Sequence, residues 1–270
     1  MKNEINKSLL RKIVETASLS GETNQCLKTL KLIEMEIKKK NIPVFIDFNK
    51  GIPFLIAGNL DKASILFLSH IDVVPAKIDS FLMKEKDGKL FGRGVLDMKG
   101  PLVSSLEAFI RLRKNGRENI VFVVTSDEEI GGFNGTAFLV KNIFKNIEMA
   151  IISDSSGEDL VIVQKAPFHI KVFAKGKSAH GSRPWEGKNA AENLLKCCLK
   201  IIKNVNGTSH NQTSAAITQF HSGETTNKIP DKAEATIDIR IEKESEIEEL
   251  IKKIKTVTKD NQCNWEKIDE

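Results

Sequence analysis

Apolar residues recur at helical spacing through the first forty positions. Leu9, Ile13 and Val14 form one stripe, Leu27, Leu30, Leu32, Ile33 and Ile37 a second, and Ser20-Gly21 breaks the pattern between them. The period then shortens to that of strands. Residues 43–48, 53–57 and 64–68 are short runs of β type, and Asn49-Lys50-Gly51 supplies the turn for a hairpin joining the first two. The spacing further predicts a helix over 102–113, a buried strand over 119–124, a helix over 136–142 and a second buried strand over 149–152. Strand and helix alternating in this way specify a mostly parallel sheet with helices on both faces.

Past Asp159 the order of elements changes. A strand over 167–175, a helix over 189–203, strands over 213–220 and 232–241, a helix over 244–257 and a strand over 262–268 read as β-α-β-β-α-β, the ferredoxin-like arrangement. The expected fold class is therefore α/β in two domains. The boundary is read near Gln164, giving residues 1–164 and 165–270.

Composition narrows the class of protein. At 270 residues, with 40% hydrophobic and 29% charged positions, the chain has the make-up of a globular protein with a full core. The net charge of +5 is spread over many Lys and Glu residues, so no basic patch with interleaved aromatics points to nucleic acid. Met1-Lys2-Asn3-Glu4-Ile5 lacks the apolar core of a signal peptide, and no apolar run is long enough to span a membrane. Cys26, Cys197, Cys198 and Cys263 show no CxxC spacing and no disulfide framework, so free thiols in a reducing cytoplasm are expected.

The chemistry gathers where the β-type runs end. His70 and Asp72 follow the run 64–68, Asp127, Glu128 and Glu129 follow 119–124, and Asp154 follows 149–152. In open α/β sheets sites form beyond the carboxyl ends of the strands, so three strands deliver metal-type ligands to one edge. Asp72 stands two residues from His70 and can hold its second ring nitrogen, which fixes the tautomer of a ligating imidazole. Asp97 lies in a Gly-rich loop, too early to cap the helix beginning near Leu102, and is read as a ligand that can bridge two cations. Adjacent Glu128 and Glu129 repel unless a cation offsets them, and their natural division of labour is one ligand and one general base.

His70-Ile71-Asp72-Val73-Val74-Pro75, Gly92-Arg93-Gly94 with Asp97-Met98-Lys99-Gly100, and Thr125-Ser126-Asp127-Glu128-Glu129 resemble the signatures of the M20 co-catalytic metallopeptidases. Within that family the chain is similar to the branch of acetylornithine deacetylase and succinyl-diaminopimelate desuccinylase. Gly176-Lys177-Ser178-Ala179-His180-Gly181-Ser182-Arg183-Pro184 and Asn227-Lys228-Ile229-Pro230-Asp231 resemble the family's lid, or dimerisation, domain.

The resemblance implies zinc, as one or two divalent ions with cobalt or manganese as substitutes. It assigns His70 and Asp154 to one ion and Glu129 to the other, with Asp97 bridging. Asp72 would orient His70, Glu128 would be the general base, and His180 would reach the carbonyl oxygen from a homodimer partner's lid. Asn227 and Arg240 would hold the substrate's carboxylate or acyl end, although Arg240 also stands two positions from Asp238, where a plain ion pair serves equally. His169, His210 and His221 match no ligand position.

The implied activity is removal of an N-acyl group from a small amino-acid substrate. A dipeptidase or carboxypeptidase is the alternative within the family. In the family the polypeptide returns from the lid to the first domain and brings a final ligating His, whereas the last His here is His221. The second metal is therefore expected to keep only Asp97, Glu129 and solvent. An inactive homologue that still dimerises through its lid is the corresponding expectation from another class.

Overall fold

The computed structural model describes residues 5–154 and 160–268. The chain divides into two compact units, Met1–Glu158 and Asp159–Glu270.

The first unit begins with helices α1 (Lys7–Glu15) and α2 (Thr23–Lys38). Asn6 caps α1 by accepting the Leu9 N–H on its side-chain oxygen, satisfying one of the free donors at the helix start. The predicted stripes turn inward: Leu9, Leu10, Ile13 and Val14 of α1 and Leu30, Ile33 and Ile37 of α2 are buried. The first helix is shorter than the predicted break at Ser20 requires. Residues 16–22 leave the helix because the backbone finds partners just past the strand that ends at His70, with Val73 N–H donating to Ser18 O and Ser20 N–H to Val73 O. Serines compete for such bonds and are weak helix formers, so tertiary pairing wins.

Strands β1 (Val44–Asn49) and β2 (Ile52–Ala57) form the expected hairpin. Next come β3 (Ile65–His70), the short pair β4 (Lys84–Lys86) and β5 (Lys89–Phe91), and α3 (Gly100–Lys114). Strand β6 (Ile120–Thr125), α4 (Thr136–Asn142) and β7 (Met149–Ile152) follow. The central sheet has the order β1-β2-β6-β3-β7. Its site-bearing strands β6, β3 and β7 are parallel, and the antiparallel hairpin extends them at one side. The pair β4–β5, absent from the sequence reading, consists of two three-residue strands too short for a periodic signal.

Alternation along β6 sorts the two cores. Ile120, Phe122 and Val124 pack with α1, α2 and α3, while Val121 and Val123 pack with Phe54, Ile56, Leu66 and Leu139 of α4. Burying side chains of this size stabilises by roughly 1.5–3 kcal/mol each. Both faces of β6 are thus covered, whereas β7, expected as a second buried strand, is exposed along its length because it lies at the sheet edge.

The second unit contains β8 (Ala166–Lys175), α5 (Ala190–Val205), β9 (Ser214–Ser222), β10 (Lys232–Ile241), α6 (Ile247–Asp260) and β11 (Cys263–Lys267). They form one antiparallel sheet in the order β11-β8-β10-β9. Phe168, Ile170, Val172 and Ala174 of β8 share a core with Leu194 and Ile201 of α5 and Ile254 of α6. Asn189 accepts the N–H groups of Ala191 and Glu192 and so fixes where α5 starts. Among the described residues, no helix is long and apolar enough to cross a membrane.

Candidate metal centre

His70 is the last residue of β3 and pairs in register with Thr125, the last of β6. The imidazole is buried at 2% exposure. Its Nδ1 lies 3.1 Å from the main-chain oxygen of Asp72 and 3.3 Å from Asp72 Oδ1. Both neighbours only accept, so Nδ1 carries a proton and donates. That leaves the Nε2 lone pair available to a cation.

Around Nε2 stand carboxylates from three loops. Asp97 Oδ1 lies at 3.2 Å, Asp154 Oδ2 at 3.6 Å and Glu128 Oε2 at 3.7 Å. One ligand atom each from His70, Glu128 and Asp154 fall within 4.8 Å of one another, the spacing of donors about a single ion. The structure thus brings together His70, Asp72, Asp97, Glu128 and Asp154 from the residues singled out in the sequence. Glu129 is tied in through its main chain: its N–H donates to Asp72 Oδ2 at 3.1 Å.

Asp72 is the hub of this arrangement and has no exposed surface. Its Oδ1 accepts the Glu128 N–H at 3.1 Å, and its Oδ2 accepts the Glu129 N–H and, at 2.8 Å, the Ser20 hydroxyl. One carboxylate therefore fixes the imidazole and the backbone of both glutamates. Asp127, just before the two glutamates, does related work on the following loop by accepting the N–H groups of Asn134 (2.9 Å) and Gly135 (2.8 Å) on Oδ2. A Cβ at Gly135 would lie 2.1 Å from Asp127 Oδ1, so only glycine lets the loop approach.

The Asp97 loop is anchored from below. Lys99 is fully buried, and its Nζ donates to Ile13 O at 2.8 Å, meeting one of the free carbonyls at the end of α1. Burial lowers the Lys99 pKa to about 8. Met98 is buried as well, its Sδ 3.2 Å from the His70 N–H. Gly94 enters the loop at φ +80°, where a Cβ would strike Val73 Cγ1 at 2.7 Å. Ser20 and Lys99 were not read as site residues. Their signals, a Ser-x-Ser between helical stripes and a lysine beside apolar Met98, look like ordinary surface chemistry in one dimension.

The electrostatics are those of an anionic nest short of positive charge. Burial opposes a charged His70, yet hydrogen bonds with Asp154 and Asp72 prevail and raise its pKa to about 11. Glu128 is raised by burial and by the charges of Asp154, Asp72 and Asp97, against the pull of His70. Glu129 is raised by burial and then by Asp97. A cluster that draws a proton onto an imidazole and protons onto glutamates fits a divalent cation in their place, with one nitrogen and several oxygens as donors. His70, Asp97, Glu128 or Glu129, and Asp154 are the side chains available to hold it.

In the second unit, two further motifs meet. His180 forms an isolated bridge with Lys228, Gly181 N–H donates to Asn227 O at 2.7 Å, and Ile229 N–H to Ala179 O at 2.8 Å. His180 is exposed, with its Nδ1 2.8 Å from the Ser182 hydroxyl. Arg240 is engaged by Asp238 (Nε to Oδ1, 3.0 Å), and His169 Nε2 lies 3.2 Å from the same oxygen. The geometry of Arg240 is the plain ion pair.

Comparison with known proteins agrees with this architecture. The chain is 26% identical over 287 residues to succinyl-diaminopimelate desuccinylase of Rickettsia bellii, spanning 96% of the chain and 72% of that protein. It is 30% identical over 216 residues to the enzyme of the same name from Rickettsia typhi, spanning 70% of the chain and 55% of that protein. Among solved structures, aminopeptidase PepT from Bacillus cereus superposes with a TM-score of 0.70 at 25% identity, covering 98% of this chain and 76% of that one. An M20 family metallo-carboxypeptidase from Sulfolobus solfataricus shares the fold, with a TM-score of 0.73 at 18% identity over 99% of this chain and 78% of that one. The profile of peptidase family M20/M25/M40 matches residues 66–261, from the start of β3 into the end of α6. The chain belongs to this family of metal-dependent hydrolases of amide and peptide bonds.

Proposed function

We propose that the protein removes an N-acyl group, of the acetyl or succinyl kind, from a small amino-acid substrate in the cytoplasm. The observation that carries the reading is the His70 Nε2 cluster with Asp97, Glu128 and Asp154 at the carboxyl ends of three parallel strands. Sequence similarity to desuccinylases over nearly the whole chain supports the acyl substrate. Peptidases among the structural neighbours support a dipeptidase or carboxypeptidase as the second reading.

In this reading His70, Asp97 and Asp154 would hold a divalent ion, zinc by the nitrogen–oxygen donor set, and Glu129 would help to hold a second. When bound, the cation supplies Lewis acidity toward the amide oxygen and lowers the pKa of water. Asp72 keeps the proton on His70 Nδ1, so that Nε2 presents its lone pair. Glu128, half-exposed and with its pKa raised by burial, takes a proton from the attacking water and passes it to the leaving amine nitrogen. His180 of a homodimer partner donates to the amide oxygen as negative charge collects there. Asn227, held beside the His180 loop, would contact the substrate's acyl or carboxylate end, while Arg240 keeps its ion pair with Asp238.

The test is release of free amine from N-succinyl and N-acetyl amino acids and from di- and tripeptides, with zinc, cobalt or manganese added. Faster turnover of acyl amino acids supports the deacylase, and faster turnover of peptides favours the second reading. Turnover of neither class by protein with tightly bound metal contradicts both.

A further inference from the structure

The segment between α1 and α2 runs alongside residues 71–73, just past the end of β3. Leu19 bridges Val73 in parallel, Val73 N–H donates to Ser18 O at 3.0 Å, and Ser20 N–H donates to Val73 O at 3.3 Å. Two hydroxyls leave this segment for different targets. Ser18, fully buried, donates to the main-chain oxygen of Ile71 at 2.6 Å. Ser20 donates to Asp72 Oδ2 at 2.8 Å. The first bond ends on a main-chain carbonyl, whereas the second ends on the carboxylate that orients His70.

We infer that Ser20 is a positioning residue for metal binding, acting through Asp72 and touching neither metal nor substrate. The inference rests on the assignment of His70 as a ligand. The carboxylate of Asp72 can rotate about its Cβ–Cγ bond, and each oxygen has a separate duty. Oδ1 faces His70 Nδ1 and the Glu128 N–H, while Oδ2 faces the Glu129 N–H. Among the described residues, the Ser20 hydroxyl is the one side-chain hydroxyl bonded to Oδ2. It approaches from the N-terminal segment rather than from the glutamate loop, so it opposes a rotation that the loop alone would follow. Without it the carboxylate and the Glu128-Glu129 backbone can shift together, and the imidazole loses its fixed partner. Second partners of ligating histidines typically change metal affinity by about 10–100-fold.

The experiment is competition for zinc against a chromophoric chelator, alongside thermal melts of the metal-free protein. Four variants are compared with the native chain. Ser20→Ala should weaken zinc binding about tenfold, and Ser20→Thr, which keeps the hydroxyl, should recover most of it. Ser18→Ala should lower the melting temperature while leaving zinc affinity near that of the native chain. His70→Ala should lose the tight site. Native zinc affinity in Ser20→Ala beside a loss in His70→Ala overturns the role of Ser20 alone. Native affinity in His70→Ala overturns the ligand assignment and this inference with it. Should Ser20→Ala fail to fold, Ser20→Cys, similar in size with a weaker donor, is read in its place: weakened zinc binding supports the inference and native affinity overturns it.

Discussion

Asp72 Oδ1 stands 3.3 Å from His70 Nδ1 and also accepts the Glu128 N–H at 3.1 Å, so one buried oxygen joins the imidazole on β3 to the loop that follows β6. Asp72→Asn breaks that economy. An amide has one accepting oxygen where the carboxylate has two, and its NH₂ must face a donor. The expected cost is about 1–3 kcal/mol of stability for the orphaned buried donor. Zinc affinity should fall by about 10–100-fold. Chemical denaturation of the metal-free variant and zinc competition check the two effects separately.

The two glutamates should part company on substitution. Glu128→Gln should abolish turnover and retain tightly bound metal, because its proposed task is proton transfer. Glu129→Gln should lower metal content first. Turnover with the most active substrate, together with metal analysis of both variants, decides the assignment. Equal metal loss in both would place Glu128 among the ligands, where its 3.7 Å approach to His70 Nε2 also allows it to stand.

Gly135→Ala should destabilise the loop after β6. The added methyl would meet Asp127 Oδ1 at 2.1 Å, and this aspartate holds the Asn134 and Gly135 N–H groups. Overpacking of this kind costs about 1–3 kcal/mol, read as a lower denaturant midpoint.

All four cysteines are buried and free. Burial pushes the Cys26 and Cys198 thiols up to about 12 and raises Cys197 and Cys263 as well. The thiolate is the reactive form, so at pH 8 a chromogenic disulfide should label none of the four in the native protein and all of them in denaturant. Rapid labelling of the folded chain would contradict this packing.

Pairing through the second unit is a further expectation. Sedimentation at micromolar concentration should give a dimer, and a monomer there would remove the partner's His180 from the proposed mechanism.

Much of this molecule is legible in one dimension. The apolar runs at 119–124 and 149–152 announced β6 and β7, but only β6 is buried along its length, whereas β7 at the sheet edge is exposed. His70, Glu128 and Asp154 could be read because ligand-type side chains directly after such runs share a sheet edge, and Asp97 because its Gly-rich loop lies too early to cap the next helix. What stayed hidden was long-range partnership. Nothing local says that Ser20 bonds a carboxylate 52 positions away, or that Lys99 crosses 86 positions to the end of α1. The backbone at 16–22 left its expected helix for the same reason, since its hydrogen-bond partners lie just past the end of β3. Arg240 reads two ways in sequence, and its geometry with Asp238 is the ion pair.

The central claim is that His70, with the acids around its Nε2, binds the catalytic metal. Equilibrium dialysis with zinc against the native protein and His70→Ala tests it most directly. The account predicts at least one tightly bound equivalent in the native chain, lost in the variant, while the melting curve of the metal-free variant still shows a cooperative fold. Undiminished tight zinc binding by a folded His70→Ala protein would contradict it.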